Sequence, residues 1–131
     1  MTGKAIYSLL SADSGVTAIA STRIFPMVVQ QAKGLPAVTY TLIYSDPHDD
    51  KDGVSDLDVE RWQLSAFAND AATVDSLNLA IRTVLERYSG TVQSVVIQSV
   101  RFIGTQDLFE QDVEDRGVYH KATDYSFRIQ L

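Results

Sequence analysis

The chain of 131 residues contains no cysteine. This absence excludes a disulfide scaffold, a thiolate nucleophile and a zinc site built on sulfur, and it fits a protein made in a reducing cytoplasm. The sequence also lacks a long apolar run, so we expect no membrane-spanning segment. Residues 1–4 lead into an amphipathic stretch without a secretory apolar core or a cleavage pattern.

Positive charge is scarce as well. Lys and Arg number 11 against 17 Asp and Glu, which gives a net charge of −6. Proteins that grip nucleic acid cluster their basic residues, whereas here the basic residues are scattered with no run among them. The sequence therefore disfavours sequence-specific binding to DNA or RNA. The hydrophobic fraction of 45% is that of an ordinary globular protein, and the length predicts one domain spanning residues 1–131.

Hydrophobic periodicity predicts helix in two regions. A short N-terminal helix covers residues 4–10, and a second helical piece follows over residues 16–20, with Ser14 as a candidate cap. The longest apolar stripe predicts a helix over residues 71–88. Asn69 or Asp70 is expected to cap its start, and Gly90 stands where a glycine often follows a helix end.

Alternation of apolar and polar residues predicts the strands. They are a brief extended stretch at 23–26 with Pro26 at an edge or strand end, then 38–45, 57–68, one or two strands in 92–103, and a clear final strand over 119–131. Acids at the start of 57–68 break its alternation, which indicates a bulge or a strand that extends beyond its core. The predicted fold class is α+β: a mainly antiparallel sheet, one long helix packed on one face, and a short N-terminal helical segment.

Two acidic regions are predicted as loops, near residues 46–56 and 104–117. Together with two acids that follow the first region, they hold 12 of the 17 acidic residues. The twelve are Asp46, Asp49, Asp50, Asp52, Asp56, Asp58 and Glu60, then Asp107, Glu110, Asp112, Glu114 and Asp115. A calcium loop is one interpretation, but counting back from Gly53 places His48 at the first ligand position and Val59 at the bidentate position. A solvated loop is the second interpretation, and a surface that faces partner subunits or lines a channel is the third.

Nothing in the sequence points positively to catalysis. The motifs G-x-S-x-G and H-E-x-x-H and a P-loop are all absent. A Ser–His–Asp triad needs no sequence proximity, so it stays open, but His48 reads as a loop residue and His120 as a sheet-end residue. Paired carboxylates would need a cleft that raises a pKa, and exposed loops seldom provide one. We expect no catalytic residue, no metal and no cofactor.

Arg61 follows the first acidic region and Arg116 follows the second, so each is placed to pair with a carboxylate on its own chain or on a neighbour. Such pairs contribute little energy at a surface but can fix the register between subunits. The residues predicted to form a subunit interface or to line a channel are Asp49, Asp50, Asp52, Asp56, Arg61, Glu110, Asp112, Glu114, Asp115 and Arg116.

Four stretches follow one another in a characteristic order. They are the N-terminal helix with its follow-on leading to RIFP at 23–26, LPAVTY at 35–40, WQLSAFA at 62–68 directly before the long helix, and GVYH at 117–120 with YSFRI at 125–129. This order resembles the tail-completion proteins of long-tailed bacteriophages, the head-to-tail joining or tail-terminator family. The corresponding family patterns are R-I-[YF]-P, L-P-x-V-x-Y, V-x-V-x-x-[WF]-A before a helix, and G-[LV]-[YH] with D-[YF]-x-[VI]. The likeness covers nearly the whole chain, but the acidic stretch 46–56 matches nothing in it.

The resemblance implies a structural virion protein and not an enzyme. Its copies would form a closed ring, a hexamer, at the head-proximal end of the tail, after assembly in the host cytoplasm. Its partners would be itself, the tail tube protein and the head connector proteins. DNA would only pass through the channel, where an acidic wall repels phosphates. The acidic loops would line that channel or project toward the tube or connector.

Two other classes stay open at this point. The first is a small α+β binding module, with the acidic loops engaging a ligand or a cation. The second is an enzyme whose site converges only in three dimensions.

Overall fold

In the part of the chain that the structure describes, three helices and one six-stranded sheet make an α+β fold, which confirms the predicted class. The computed structural model describes residues 2–29, 34–47, 57–111 and 117–130. Within them the elements are α1 (Thr2–Ala12), α2 (Ser14–Ala20), β1 (Ile24–Pro26), β2 (Ala37–Pro47), β3 (Leu57–Ala68), α3 (Ala71–Leu85), β4 (Gly90–Val92), β5 (Val95–Gln111) and β6 (Gly117–Gln130). The sequence predicted one long helix and a short N-terminal helical segment. In the structure α3 has 15 residues, and the N-terminal segment consists of α1 with 11 residues and α2 with 7.

The sheet is mixed, with strand order β1-β2-β3-β6-β5-β4. β1 pairs parallel with β2, and the other four pairings are antiparallel. Pro26 ends β1, which is an edge strand, as the sequence predicted, because a proline cannot donate to a central ladder. The pairing of β3 with β6 runs from Leu57 opposite Gln130 to Ala68 opposite Tyr119 without a register shift.

The hydrophobic core lies between the helices and one face of the sheet. Leu77 and Ile81 of α3 are fully buried, as are Leu64 of β3 and the rings of Tyr125 and Phe127 on β6. Full burial of a side chain of this size contributes about 1.5–3 kcal/mol. These residues recur at the helical period on α3 and at a period of two on the strands, so the predicted stripes are the ones that face each other.

The caps of the helices confirm one prediction and correct two. The Asp70 carboxylate accepts a hydrogen bond from the Thr73 N–H at 2.9 Å, so Asp70 caps α3 as expected. α3 ends at Leu85 rather than at residue 88. Arg87, with a left-handed φ of 64°, takes the position after the helix end that the sequence had assigned to Gly90. Gly90 instead begins β4.

α2 is capped by Asp13 and not by Ser14. The Asp13 carboxylate accepts from the Val16 N–H at 3.0 Å, and Asp13 itself has extended backbone angles, as a cap residue requires. Ser14 is already the first residue of the helix.

The second acidic region was wrongly predicted as a loop over its first half. β5 continues through Gln111, and Gly104 to Gln111 pair with β6 down to Gly117. Cross-strand pairing with a regular partner overrides the low β-propensity of Gly and Asp in such a segment. In the same way β2 extends through Asp46 and Pro47. Residues 48–56 and 112–116 lie outside the described part of the chain.

The irregularity expected at the start of β3 is found on other strands. β3 pairs regularly with β6, whereas the register shifts lie at Leu42/Tyr44 on β2 and at Ile97/Ser99 and Phe102/Gly104 on β5. The acidic start of β3 is accommodated without a bulge on β3 itself. Glu60, which shares the face of Trp62, accepts a hydrogen bond from the Trp62 indole N–H at 2.9 Å.

The Tyr125 ring fills the centre of the core and meets Phe102 edge to face, with 6.0 Å between the ring centroids. Its hydroxyl is buried and has no hydrogen-bond partner among the described residues. Burial raises the pKa of Tyr125 above its ordinary value, since the phenolate would be poorly solvated there.

Replacing Tyr125 by Phe is expected to leave the free energy of unfolding unchanged or to raise it by up to about 1 kcal/mol, because a buried unsatisfied hydroxyl is removed while the ring is kept. Urea denaturation at neutral pH measures the change. The control Tyr125→Leu should cost about 1–3 kcal/mol, because it removes aromatic packing. A loss above about 1 kcal/mol in Tyr125→Phe would show that the hydroxyl has a partner after all.

Candidate interaction surface

The sheet has one face against the helices and one face turned away from them. On the helix side, the Asn78 amide oxygen of α3 accepts from the Thr123 hydroxyl at 2.9 Å, and the Arg82 guanidinium lies 3.9 Å from the centroid of the Phe102 ring. Successive residues of a strand point to opposite faces. The alternate residues of β3 and β6, such as Arg61 and Asp124, therefore lie on the other face, which we call the outer face.

A hydrogen-bonded cluster occupies the middle of the outer face. Arg61 donates through Nε at 2.9 Å and through Nη2 at 2.5 Å to one carboxylate oxygen of Asp124, and Gln63 donates to the other oxygen at 3.2 Å. The hydrogen bond that Arg61 donates to the Asp124 carboxylate is the main cause that raises the pKa of Arg61. Arg61 therefore has a partner on its own chain, one of the two possibilities left open by the sequence.

Two further arginines flank this cluster. Arg61, Ser126 and Arg101 stand side by side on three adjacent strands, and Arg128 is the next residue of β6 on the same face. Arg101 and Arg128 are exposed, whereas Asp124 is engaged by Arg61. The part of the outer face around Ser126 thus carries two exposed positive charges on a chain whose net charge is −6.

The sequence did not single out Asp124, Arg101 or Arg128 as site residues, although a signal was present. Asp124, Ser126 and Arg128 alternate with the apolar residues of the last strand, which already placed them together on the face opposite the core. That Arg61 of β3 would meet Asp124 depended on the register of two strands distant in sequence.

The predicted acidic segments leave the sheet at opposite ends. Pro47 and Leu57, which flank residues 48–56, lie at the end where Gln130 pairs with Val96. Gln111 and Gly117, which flank residues 112–116, pair with each other at the other end. The described strand ends that flank the two acidic regions therefore lie at opposite ends of the sheet.

Of the predicted site residues, only Arg61 and Glu110 lie in the described ranges. Glu110 belongs to β5 and stands opposite Val118. Asp49, Asp50, Asp52, Asp56, Asp112, Glu114, Asp115 and Arg116 fall outside the described residues. Five of the twelve clustered acids are strand residues rather than loop residues, namely Asp46, Asp58, Glu60, Asp107 and Glu110.

One strand acid takes part in an ionic cluster against α3. The Lys121 ammonium lies 2.7 Å from Asp107 of β5 and 3.3 Å from Asp75 of α3. It borders a groove of about 390 Å³ that is also lined by the Phe109 and Tyr119 rings. The hydrogen bond to Asp107 is the largest cause that raises the pKa of Lys121, so this lysine is protonated at neutral pH even more completely than a free one.

His120 lies on the outer face and stacks on Phe67, with 4.2 Å between the ring centroids. It sits within β6, three residues after the start of that strand, which agrees with its interpretation as a sheet residue. Within the described ranges, no three His, Asp or Glu side chains are placed to hold a metal ion together. None of the helices described is long and apolar enough to cross a membrane.

The Lys121 cluster predicts a dependence of stability on alkaline pH. Because the folded pKa of Lys121 is raised, its stabilisation is fully present below the ordinary lysine value of 10.5 and is lost as pH rises through the folded pKa. Lys121→Gln should lower the free energy of unfolding by at most about 1 kcal/mol at pH 7, and the deficit should shrink above the ordinary value. Urea melts across this range measure it, with the exposed Lys4→Gln as control. A deficit that grows with alkaline pH would contradict the assignment.

The Arg61–Asp124 pair predicts non-additive stability. Arg61→Gln and Asp124→Asn each break the same charge-assisted bonds, so the double variant should lose less than the sum of the single losses. Chemical denaturation of the four proteins measures the coupling. A cycle between Arg61→Gln and Glu86→Gln serves as control, because Glu86 pairs with Arg82 on the helix side and should be independent. Additive losses for Arg61 and Asp124 would mean that the bonds are absent in solution.

Comparison with known proteins gives two findings. The model of the family described as tail completion protein gp17 matches residues 4–130. A chain from a solved structure described as the virion of a native gene transfer agent particle superposes with a TM-score of 0.68 and 19% sequence identity, covering 97% of this chain and 92% of that chain. At this identity the likeness shows the fold alone. No curated protein sequence matches.

Proposed function

The chain belongs to the tail completion protein gp17 family, and from this membership we propose that its copies form a closed ring at the head-proximal end of a phage tail and join the tail to the head connector. Membership itself makes the chain a structural protein of a phage tail. The observation that carries the further proposal is a match that spans all but the first three residues and the last residue. A joining protein has to bind its own copies and two different partners.

The shape of the subunit supports a ring. A closed ring needs a heterologous interface, in which one patch of a copy meets a different patch of the next copy. The sheet offers two unlike edges, one formed by β1 and β2 and the other by β4 and β5. Six copies joined in this manner make the proposed hexamer, the number carried over from the resemblance.

The two acidic regions support a channel with two mouths. Because the strand ends that flank them lie at opposite ends of the sheet, a ring whose strands run along its axis carries one carboxylate-rich segment near each mouth. One mouth meets the tail tube protein and the other meets the head connector. DNA passes between them without specific contacts, since carboxylates repel its phosphates.

The predicted interface residues divide accordingly in this proposal. Arg61 stabilises the sheet of its own subunit through Asp124. The remaining members, on the segments 48–56 and 110–116, face neighbouring subunits, partner proteins or the passing genome.

Native mass spectrometry of the purified chain over increasing concentration is expected to give one closed oligomer, a hexamer, and negative-stain images should show rings with a central hole. The physical reason is that a heterologous interface that closes leaves no free patch, so growth stops at one size.

A chain that stays monomeric at every concentration would overturn this proposal. So would an unlimited ladder of sizes, because that pattern indicates an interface whose rotation does not close.

A further inference from the structure

Both outermost strands of the sheet are only three residues long, so most of each neighbouring strand has an open edge. β1 pairs with residues 38–40 of β2, and β4 pairs with residues 95–97 of β5. β2 has 11 residues and β5 has 17. An open edge is a row of unpaired N–H and C=O groups that readily adds another strand.

The open edge of β2 begins after Tyr40. The Tyr40 carbonyl accepts from the Met27 N–H at 3.1 Å, and no backbone hydrogen bond from another described residue reaches that side of β2 beyond it. Three consecutive apolar residues follow: Leu42, Ile43 and Tyr44, with 45%, 46% and 51% of their surfaces exposed. Proteins usually protect such an edge with charge or proline, and this stretch has neither before Asp46.

The open edge of β5 begins after Val100, whose carbonyl accepts from the Arg87 N–H at 2.9 Å. From Arg101 onward, no backbone group in the described part of the chain bonds to that side of the strand. Ile103 is 38% exposed on it, and Leu108 and Phe109 are also exposed farther along. Several exposed apolar residues along one open strand are typical of an interaction surface.

The two open edges match each other in level and direction. Reading across the sheet, Thr41 of β2 stands in the row of Gly104 of β5, and Asp46 stands in the row of Ser99. β2 and β5 run in opposite directions because three antiparallel pairings separate them. When one copy follows another around a ring, β2 of one therefore lies antiparallel to β5 of the next.

Both edges also carry a register shift beside the same row of the sheet. The register shift of β2 leaves Ile43 without a cross-strand partner, and one of the two shifts of β5 does the same for Ile103. The row Leu42–Trp62–Tyr125–Phe102 runs between them, with Ile43 on its Arg101 side and Ile103 on its Gly104 side. Copies in a ring sit at the same height, so with strands along the axis Ile43 of one copy lies diagonally from Ile103 of the next.

Charge agrees with this arrangement. Asp46 on β2 and Arg101 on β5 are both exposed and both lie on the outer face, and a single row of inward-facing residues separates their rows. Across the proposed junction they stand on neighbouring strands, where opposite charges attract.

Resting on the proposed ring, we infer that neighbouring copies join by strand addition, with residues 41–44 of β2 pairing with residues 101–104 of β5 of the next copy and with Ile43 and Ile103 as diagonal neighbours across the junction. The occupant of each open edge is thus a second copy of this chain. β1 occupies the edge of β2 before this paired segment, and β4 of the next copy occupies the edge of β5 on the other side of it.

Two single variants test the junction, Ile43→Lys on one edge and Ile103→Lys on the other. Each places a lysine against an apolar side chain or an unpaired edge and is expected to weaken association by roughly tenfold or more, which corresponds to about 1.4 kcal/mol per junction. The matched control is Leu79→Lys on α3, where the residue is 65% exposed and lies on neither edge. Sedimentation and native mass spectrometry measure the oligomers, and thermal melting confirms that each variant is folded.

Mixing the two single variants gives a sharper test. Each variant keeps one intact edge, and the two intact edges are complementary, so the mixture should form a one-to-one dimer that grows no further. The double variant Ile43→Lys/Ile103→Glu sets opposite charges across every junction and is expected to recover rings. This recovery also answers an objection that the single variants merely misfold.

The outcomes separate the two proposals. A wild-type ring with single variants that assemble like Leu79→Lys would overturn the junction and leave the ring standing. Single variants that dimerise with themselves would also overturn it, because they would indicate like edges pairing. A wild-type chain that never associates would remove the ring, and the junction with it.

Discussion

The ladder between β3 and β6 is the constraint on which the rest of the structure depends. It joins the two central strands over the whole length of β3 without a register shift. Because side chains alternate across a strand, slipping β6 by one residue against β3 would turn Phe127 outward and Arg128 into the core while Leu64 of β3 kept its place. The regular ladder therefore decides at once which face receives the helices and which face stays polar.

Much of this arrangement could be predicted from local patterns. The last strand alternates so clearly that its inner and outer residues were both assigned, and the stripe on α3 predicted the residues that meet them. The β3 range was predicted to the residue. These features depend on periodicity within one element, which a sequence displays directly. The family was likewise accessible, since its short motifs keep their order along the chain.

What could not be predicted depends on partners that are distant in sequence. Residues 104–111 look like a loop by composition, yet β6 draws them into the sheet. Arg61 was predicted to be placed for pairing with a carboxylate on its own chain or on a neighbour, but only the register of β3 against β6 selects Asp124. The end of α3 was misplaced because Arg87 adopts a left-handed backbone conformation that is uncommon for residues other than glycine. Most of the predicted interface residues fall outside the described ranges, so they remain predictions.

The shortness of β1 and β4 has a mechanical consequence for the proposed assembly. β1 and β4 lie at opposite ends of the open edges of β2 and β5. In the proposed ring, each would therefore stop a neighbouring copy from sliding along the strands in one direction. Apolar contacts alone would allow neighbouring copies to shift along the strands, and a constant axial shift between copies would produce an open helix instead of a ring. With β1 and β4 limiting the shift in both directions, all copies would lie at the same height, so the sixth copy would meet the first and the ring would close.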